Sequence, residues 1–559
     1  MPLQVVQARY KPQPLSAQTR VHQFAIFPAP VLGLDTSTPL TEQNPRSATA
    51  LTNFFTRRYG SELRPGWRRW TTNLGGVGTE SPVVTVMAYQ PPRGAGSVAL
   101  AKLFAACEDG KIYDVSSQTS EATVPAAVLT VTGQTEPGEW SYTNFATAAT
   151  NYLCAVSANS GAFSYYTYDH TGGWVNRTAS ITGTAGAVNS FDFIMVWKNR
   201  IWFLAENSNV AWYLPVGAIT GAAASFDFGP LLIHGGELRA MASWTLDSGD
   251  GIDDKLVISA SQGDILIYGG TDPASASTFG IVGRWYVGPP PSGRRFMSKY
   301  GGDLALLCEN GVEYMSHLTA ARGLIDPETQ SDDTPSRRYN EVIGQDIRDT
   351  RNQKGWALIH VPSEQSVLIT TPTDESPDAY QYCFSTIPMG WSKMQNIPMK
   401  CSEVFDGNLY FGTEDGKIGK AFSGDTDDEL SDGTAGEDVV GRLQTAFVTK
   451  EDQEMLLKRM QLVMPMFQSS DPPSFSVRLN TEWSDQGTSG SPPFVINTNA
   501  LWDVGTWDVA VWGGAANTYL GWIGVEGLGC YASLRISIVG KPRTMFTSWK
   551  LVYEPGGIM

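Results

Sequence analysis

Residues that could carry out chemistry are scattered through this 559-residue sequence and form no familiar catalytic motif. It has no GxxxxGK[ST] loop to cradle phosphates, no HExxH pair for zinc and no GxSxG turn to expose a nucleophilic serine. The histidines are far apart, without companions at metal-ligand spacing: His22, His170, His234, His317 and His360. No two of the 56 carboxylates stand out as a glycosidase pair, although such pairs can assemble from distant segments. We expect no catalytic residue, no metal, no cofactor and no enzymatic activity.

The cysteines also occur singly, with no CxxC pair, at Cys107, Cys154, Cys308, Cys383, Cys401 and Cys530. This spacing favours reduced, mostly buried thiols, as in a protein made in a cytoplasm. The first 15 residues lack the basic and apolar parts of a secretory signal. No run of 18 apolar residues predicts a membrane span.

Charged residues cluster in three segments. Residues 425–438 contain seven carboxylates, and residues 247–254 are also acidic. Neither segment has the ligand spacing of an EF-hand, so calcium binding is the weaker interpretation. Because like charges repel, residues 425–438 are predicted to form an acidic linker, a loop or hinge between domains. The third segment, residues 57–70, carries five arginines. We interpret it as a solvated or intersubunit patch, with a phosphate contact as the alternative.

The elements around these segments are predicted to be strands. The chain contains 57 Gly, 33 Pro, 17 Trp and 21 Tyr, a composition that favours short, half-buried strands with many turns. The formal net charge of −16 indicates an acidic surface. Such a surface does not suit nucleic-acid binding, because affinity for DNA comes largely from basic side chains that displace counterions from phosphates.

A strand–turn–strand pattern recurs through residues 81–424. Its turns centre on Gly110, Gly161, Asn207, Gly263 and Gly311, at intervals of 51, 46, 56 and 48 residues. A further copy has Gly416 in its turn. Hairpins repeated at this period, each unable to bury its own faces, are typical of a β-propeller, here of six or seven blades. An array of β-sandwiches with accidental hairpin signals is the alternative.

The two ends of the chain differ from this repeat. Residues 1–80 are rich in proline, which predicts an extended N-terminal arm with one short helix within residues 45–55. Residues 439–559 alternate apolar and polar residues and predict a C-terminal β-sandwich or barrel-like domain. Trp502, Trp507 and Trp512 recur there at intervals of five, as core residues or as interface anchors.

Two groups of residues resemble one protein family. The stretch 48–54, followed by Arg64-Pro-Gly66, is similar to the N-terminal pattern of the nozzle proteins of short-tailed bacteriophages, also called tail tubular or DNA-stabilisation proteins. The tryptophans of residues 502–512, together with segments 522–529 and 553–557, resemble the closing domain of tail proteins of this group. As structural or interface residues we therefore select Asn53, Arg64, Gly66, Trp502, Trp507, Trp512, Gly527 and Gly529.

The resemblance implies a structural subunit of the virion tail, assembled in the cytoplasm of the host bacterium. In this family the subunits form a homo-oligomer, a hexameric ring below the adaptor ring, and carry docking surfaces for tail fibres or spikes. The ring is the distal exit conduit for genomic DNA, which passes through its lumen without specific binding. An acidic lumen would repel DNA phosphates and let DNA slide. The alternatives are a receptor- or polysaccharide-binding tail propeller and a propeller glycosidase.

Overall fold

The computed structural model describes residues 22–91, 100–131, 139–157, 163–247, 252–319, 338–372, 380–450, 456–484, 489–490, 517–540 and 542–558. Nearly all of the regular structure in these residues is β-strand, which confirms the all-β prediction. The first strands are β1 (Gln23–Pro28), β2 (Gly33–Leu34), β3 (Ser47–Thr52), β4 (Phe54–Arg57), β5 (Gly60–Leu63) and β6 (Gly66–Thr71).

Four antiparallel blades follow along the chain, each with four strands. Blade 1 comprises β7 (Val83–Tyr89), β8 (Lys102–Cys107), β9 (Lys111–Asp114) and β10 (Ala127–Thr130). Blade 2 comprises β11 (Trp140–Ala146), β12 (Asn151–Ser157), β13 (Ser164–Asp169) and β14 (Gly173–Asn176). The short strands β15 (Ile181–Thr182) and, later, β19 (Gly221–Ala222) pair beside blade 3, which comprises β16 (Phe191–Trp197), β17 (Arg200–Ala205), β18 (Val210–Tyr213) and β20 (Ala224–Asp227). Blade 4 comprises β21 (Leu238–Asp247), β22 (Ile252–Ala260), β23 (Asp264–Gly270) and β24 (Phe279–Tyr286).

The next sheet has three strands, β25 (Met297–Tyr300), β26 (Asp303–Cys308) and β27 (Gly311–Tyr314). Two helices follow it, α1 (Met315–Thr319) and α2 (Asn340–Thr350), and α2 packs against β27 where the other blades have a fourth strand. Blade 5 comprises β28 (Ala357–Val361), β29 (Ser366–Thr370), β30 (Tyr380–Ser385) and β31 (Gly390–Gln395). Blade 6 begins with β32 (Cys401–Phe405), β33 (Asn408–Gly412) and β34 (Ile418–Gly424). Among the described residues, 3-10 turns lie at Thr178–Ser180, Ala187–Ser190, Gly229–Leu231 and Pro362–Glu364.

The sheets form a closed ring. The first strand of each one packs beside the first strand of the next, in the order β7, β11, β16, β21, β25, β28, β32 and back to β7. Within the described residues this gives six four-stranded blades and the three-stranded sheet between blades 4 and 5. The N-terminal strand β6 supplies the fourth strand of blade 6, pairing with β34 from Gly66–Gly424 to Thr71–Ile418. The predicted propeller is therefore present, and strands from both ends of the repeat close it.

The predicted hairpin repeat is confirmed as the turn between the second and third strand of successive sheets. Gly110, Gly263 and Gly311 all have positive φ in that turn, at 77°, 93° and 101°. Asn207, with φ 54°, precedes the third strand of blade 3. Only glycine, and less readily asparagine, adopts this conformation without strain, which is why these residue types mark the period. Gly161 lies outside the described residues.

The C-terminal strands build a sandwich together with the N-terminal ones. They are β35 (Thr426–Asp427), β36 (Glu437–Asp438), β37 (Val440–Thr445), β38 (Leu456–Ser469), β39 (Ser474–Thr481), β40 (Ser489–Gly490), β41 (Asn517–Leu520), β42 (Ile523–Gly529), β43 (Ala532–Val539) and β44 (Met545–Ile558). One sheet has seven strands, β1, β4, β5, β38, β41, β42 and β44. The other contains β3, β37, β43, β39 and β40, and continues through β2 into blade 5 as one ten-stranded sheet. The sandwich is thus joined to the propeller by backbone pairing.

Two predictions for the N-terminal region are wrong. Within residues 45–55 the chain forms β3 and β4 instead of a helix, because β3 pairs with β37 and its buried face packs in the sandwich core. The described part of residues 1–80 is not an arm lying on another surface either, since β1–β5 belong to the sandwich and β6 to the propeller. Prolines at 28 and 65 fall at strand ends, where a missing N–H costs little. The expected boundary at residue 80 is crossed by this pairing.

The acidic segment is not a free hinge. Its strands β35 and β36 pair as a hairpin, and the side chains of Asp427 and Glu429 are buried at 3% and 5% exposure. Arg64 and Arg68 from the N-terminal region pair with these two carboxylates, and the ion pairs offset part of the like-charge repulsion within the segment. Asp427 therefore has a structural role that its sequence context did not indicate.

The thiols match the prediction. All six cysteines are free, and only Cys530 is partly exposed. Burial raises the pKa of Cys154, Cys308 and Cys383 to about 12, which keeps these thiols protonated. Separately, none of the helices in the described part of the chain is long and apolar enough to cross a membrane.

Candidate functional site

Arg64 occupies the junction between propeller and sandwich, in the short link between β5 and β6. Its side chain is completely buried, and all five of its guanidinium N–H groups donate hydrogen bonds. Nη1 and Nη2 bind the two carboxylate oxygens of Asp427, each at 2.7 Å. The remaining acceptors are Asn53 Oδ1 at 2.9 Å and the carbonyls of Pro65 and Gln395 at 2.9 and 2.6 Å. A buried guanidinium with every donor paired holds three segments in one geometry.

Asn53 lies beside Arg64 at the turn between β3 and β4. Its φ of 63° places it in the left-handed region, which asparagine tolerates better than most residues. Its Oδ1 accepts from Arg64 and from the backbone N–H of Gln395 at 2.8 Å, while Nδ2 donates to the carbonyl of Val440 at 2.8 Å. One side chain therefore bridges blade 5, the sandwich and the arginine.

Gly66 begins β6 against the acidic hairpin. A Cβ at this position would lie 1.9 Å from the carbonyl oxygen of Thr426, the residue before Asp427. Glycine is required because the two backbones approach so closely. Three selected residues, Asn53, Arg64 and Gly66, therefore meet at one junction.

A second ion network lies between the same two domains. Arg57 donates to Glu62 at 2.8 Å and to Glu364 at 2.6 Å. Arg543, between β43 and β44, donates to the same carboxylates at 2.7 Å to Glu62 and 2.6 Å to Glu364. Glu364 belongs to the turn between β28 and β29 of blade 5 and is only 4% exposed. Two arginines and two buried carboxylates from four parts of the chain thus share one cluster.

The other arginines of residues 57–70 are also occupied within the chain, apart from Arg58. Arg68 pairs with Glu429, and Arg69 makes a two-pronged contact with Asp428 at 2.7 and 2.6 Å. The prediction of a solvated, intersubunit or phosphate-binding patch is therefore wrong for Arg64, which is completely buried. Arg57, Arg68 and Arg69 are partly exposed, and for them it stays a prediction. Most of the carboxylates that pair with these arginines lie hundreds of residues away in sequence. Arg58 is the exposed member of the group.

The C-terminal glycines selected from the sequence also have structural roles. A Cβ on Gly527 would lie 2.8 Å from Thr481 Cγ2, and one on Gly529 would lie 2.8 Å from Glu482 Oε1. Both residues let β42 pass close to the end of β39. Trp502, Trp507 and Trp512 lie outside the described residues, so their predicted roles as core or interface residues stay predictions.

A different site lies on the propeller axis, and no sequence motif predicted it. A cavity of about 430 Å³ is lined by the first strands β11, β16, β25, β28 and β32 and by the residues just before β25. We call it the axial cavity. Its charged lining side chains are Glu139, Asp192, Arg294, Arg295 and Glu403. A second cavity, of about 550 Å³, lies among turns beside blade 4 and contains Glu237 and Arg239.

The polar groups of the axial cavity are held in place by neighbouring residues. Tyr142 donates its hydroxyl to Glu403 Oε2. Arg295 donates through Nη2 to Thr85 Oγ1 at 2.9 Å and to the carbonyl of Trp140 at 3.0 Å. Burial raises the pKa of Glu403 to about 7, an effect that Tyr142 and Arg295 oppose because they favour the charged carboxylate. Burial therefore favours the protonated form of the Glu403 carboxyl more than in an exposed glutamate.

Two polar atoms of residues lining this cavity lack a partner among the described residues. Asp192 binds Arg294 through Oδ2, but its Oδ1 accepts no hydrogen bond in the described part of the structure. Ser402 Oγ is likewise without a partner there. Buried polar atoms normally have a hydrogen-bond partner, so these two unpaired atoms are unusual. None of these residues was selected from the sequence, because blade strands carry such side chains without any fixed spacing.

The chain matches no protein-family model, and no curated protein sequence matches it either. Among solved structures it is similar to PorZ, a surface component of the type-IX secretion system of Porphyromonas gingivalis, at 12% identity and a TM-score of 0.34. That likeness covers 62% of this chain and 37% of the PorZ chain. It is also similar to Sqt1 of Saccharomyces cerevisiae, at 12% identity and a TM-score of 0.36, covering 69% of this chain and 97% of that one.

A third likeness is to YCF48 bound to a D1 peptide, at 9% identity and a TM-score of 0.34, covering 64% of this chain and 97% of that chain. At these scores the likenesses carry no argument about function. The strand pairing of the chain itself establishes that this is a β-propeller protein.

Proposed function

We propose that this propeller protein is a structural subunit of a phage tail nozzle, a ring that forms the distal DNA exit conduit and docks fibres or spikes. The observation that carries the proposal is the meeting of Asn53, Arg64 and Gly66 at the junction of propeller and sandwich. These are residues of the N-terminal resemblance, and each is demanded there by tertiary geometry. A shared pattern of this kind is expected if the family keeps one interdomain architecture.

The surface of the seven-stranded sheet supports assembly into a ring. Phe24 and Ile26 on β1 are 67% and 56% exposed, and Leu528 on β42 is 60% exposed. Apolar side chains grouped on an outer sheet face mark a surface suited to contact another protein. Contacts between unlike faces that close on themselves generate rings, so this sheet is our candidate for the contact between subunits.

The charge of the chain supports passage of DNA. With a net charge of −16, carboxylates are expected to outnumber arginines and lysines on the lumen of the ring. That lumen lies between subunits and is distinct from the axial cavity inside each propeller. DNA would slide past such a wall because it offers few cations to bind phosphates.

Native mass spectrometry and single-particle imaging of the purified protein test the proposal. We expect closed rings of six copies, and Ile26→Asp should shift them to monomers because it places a charge in the apolar contact. Val216→Asp is the matched control, since Val216 is 57% exposed in a turn of blade 3. A monomer at every soluble concentration, or a ring with a basic lumen, would contradict the proposal. Release of oligosaccharides from bacterial polysaccharide would favour the glycosidase alternative.

A further inference from the structure

The axial cavity offers both signs of charge to anything that enters it. Arg294 and Arg295 contribute two cations, while Glu139, Asp192 and Glu403 contribute carboxyl groups. A ligand with a carboxylate or phosphate would meet three acidic side chains, and a cationic ligand would meet two guanidinium groups. A neutral ligand avoids both penalties.

The hydrogen-bond donors and acceptors of the axial cavity narrow the class of ligand further. The Arg295 side chain uses Nη2 for Thr85 and Trp140 and makes no other hydrogen bond with the described residues, so its remaining N–H groups can serve as donors. The Glu403 carboxyl belongs to the cavity lining and can serve as an acceptor. A hydroxyl group both donates and accepts, and therefore matches mixed donors and acceptors at close range.

We propose that the axial cavity binds a neutral sugar, a polyhydroxyl compound of one or two rings. The volume of about 430 Å³ lies in the range of small-molecule sites. Phe193, Ile194 and Leu358 add apolar surface to the lining, which suits the C–H face of a sugar ring. The inference goes beyond the proposed nozzle function and does not depend on it.

Isothermal titration of the purified protein tests this with glucose, galactose, mannose, N-acetylglucosamine and maltose as probes. Glucuronate and glucosamine serve as the anionic and cationic counterparts. We expect saturable binding of at least one neutral sugar and weaker binding of both charged ones. Absence of binding by every neutral probe, or tighter binding of a charged analogue, would overturn the proposal.

Variants locate the site. Glu403→Gln keeps the shape of the side chain but removes the carboxylate, and it should weaken binding about tenfold, equivalent to about 1.4 kcal/mol. Tyr142→Phe should have a smaller effect of the same sign, since it releases Glu403 from its hydrogen bond. Glu237→Gln is the control, because Glu237 lines the second cavity. Weakening by Glu237→Gln but not by Glu403→Gln would place the sugar elsewhere and refute the axial site.

Circular dichroism and thermal melts of each variant show whether it folds. If Glu403→Gln fails to fold, Ser402→Ala replaces it in the titration. Ser402 Oγ is buried without a partner in the described structure, so its removal should leave the melting temperature unchanged or raise it. Rotation about χ1 can bring that hydroxyl to a bound sugar, and Ser402→Ala should therefore weaken sugar binding several-fold. Unchanged affinity in both Ser402→Ala and Tyr142→Phe would contradict binding at this wall.

Discussion

The Arg64 junction and the axial cavity both place charged side chains inside the protein, but these side chains are fully paired at the junction and only partly paired in the cavity. At the junction, each N–H group of Arg64 has an acceptor, and both oxygens of Asp427 are used. In the axial cavity, Asp192 Oδ1 and Ser402 Oγ lack partners in the described structure, and burial raises the pKa of Glu403 to about 7.

The difference indicates two roles for buried charge. A fully paired network specifies how segments meet, and breaking one member leaves its partner uncompensated. Partly paired groups around a cavity are poorly stabilised by the protein alone and are available to a ligand. The junction is therefore expected to respond to mutation through stability, and the axial cavity through binding and pH dependence.

The largest effect is expected at Arg64. Arg64→Met should lower the free energy of unfolding by about 3–5 kcal/mol, because Asp427 is left buried without its counter-charge. Urea denaturation monitored by tryptophan fluorescence measures the change. Arg58→Ala is the control in the same segment, since Arg58 is exposed, and should alter stability by less than about 0.5 kcal/mol. Equal effects of the two substitutions would show that the junction network adds nothing.

Gly66 should give the next largest effect. Gly66→Ala places a Cβ against the carbonyl of Thr426, and relief of that clash should cost about 1–3 kcal/mol of stability. Gly524→Ala in β42 is the matched control, because a Cβ at that position would have no other atom within 4 Å among the described residues. Thermal melts of the two variants should separate them clearly. A wild-type melting temperature for Gly66→Ala would mean that β6 can shift away from the acidic hairpin.

The axial cavity should produce a pH dependence of stability through Glu403. The pKa of Glu403 rises from its ordinary value of 4.5 to about 7, so the folded protein binds this proton more tightly than the unfolded chain does. Its contribution to stability is therefore fully present below pH 4.5 and is lost as the pH rises through about 7.

With Glu403→Gln, the free energy of unfolding should fall less steeply as the pH rises. The slopes of the two proteins should differ by less than about 1.4 kcal/mol per pH unit. Denaturation curves of both proteins at several pH values between about 4.5 and about 8 measure it, and their difference removes the contribution of Glu313, whose pKa burial also raises to about 7. Parallel stability curves for the wild type and the variant would refute the assignment to Glu403.

The smallest effect is expected for an exposed ion pair. Lys111 Nζ lies 2.6 Å from Asp109 Oδ2 in the turn of blade 1, where both side chains are partly exposed. Lys111→Ala should change the free energy of unfolding by no more than about 1 kcal/mol, since solvent screens the pair. The same urea titration used for Arg64 gives the value. A loss as large as that of Arg64→Met would mean that burial is not what makes the Arg64–Asp427 pair stronger than an exposed pair.

Local chemistry made much of the fold predictable. Gly110, Gly263 and Gly311 lie in turns that need positive φ, and the apolar runs beside them form the second and third strands of their sheets. The alternation in residues 532–539 and 545–553 likewise predicts strands that exist as β43 and β44. The prediction of a helix within residues 45–55 was wrong, because pairing of β3 with a distant strand overrides local preference.

The candidate sites were much less predictable. Asn53, Arg64 and Gly66 could be selected through a family resemblance, but not their partner Asp427, which follows Arg64 by 363 residues. The axial cavity gave no sequence signal, because its lining comes from short runs of residues on several strands that are far apart in sequence. Counting the arginines of residues 57–70 could not show that they pair with carboxylates elsewhere in the chain, because those carboxylates are distant in sequence.

The sequence by itself determined the strand content, the period of the hairpins and the free state of its cysteines, because turn chemistry, alternation and spacing act over a few residues. Only the tertiary structure decided that β6 closes blade 6, that both chain ends share one sandwich, and that the acidic segment is tied to the arginines. These features depend on contacts between residues hundreds of positions apart, which form only when the whole chain is folded.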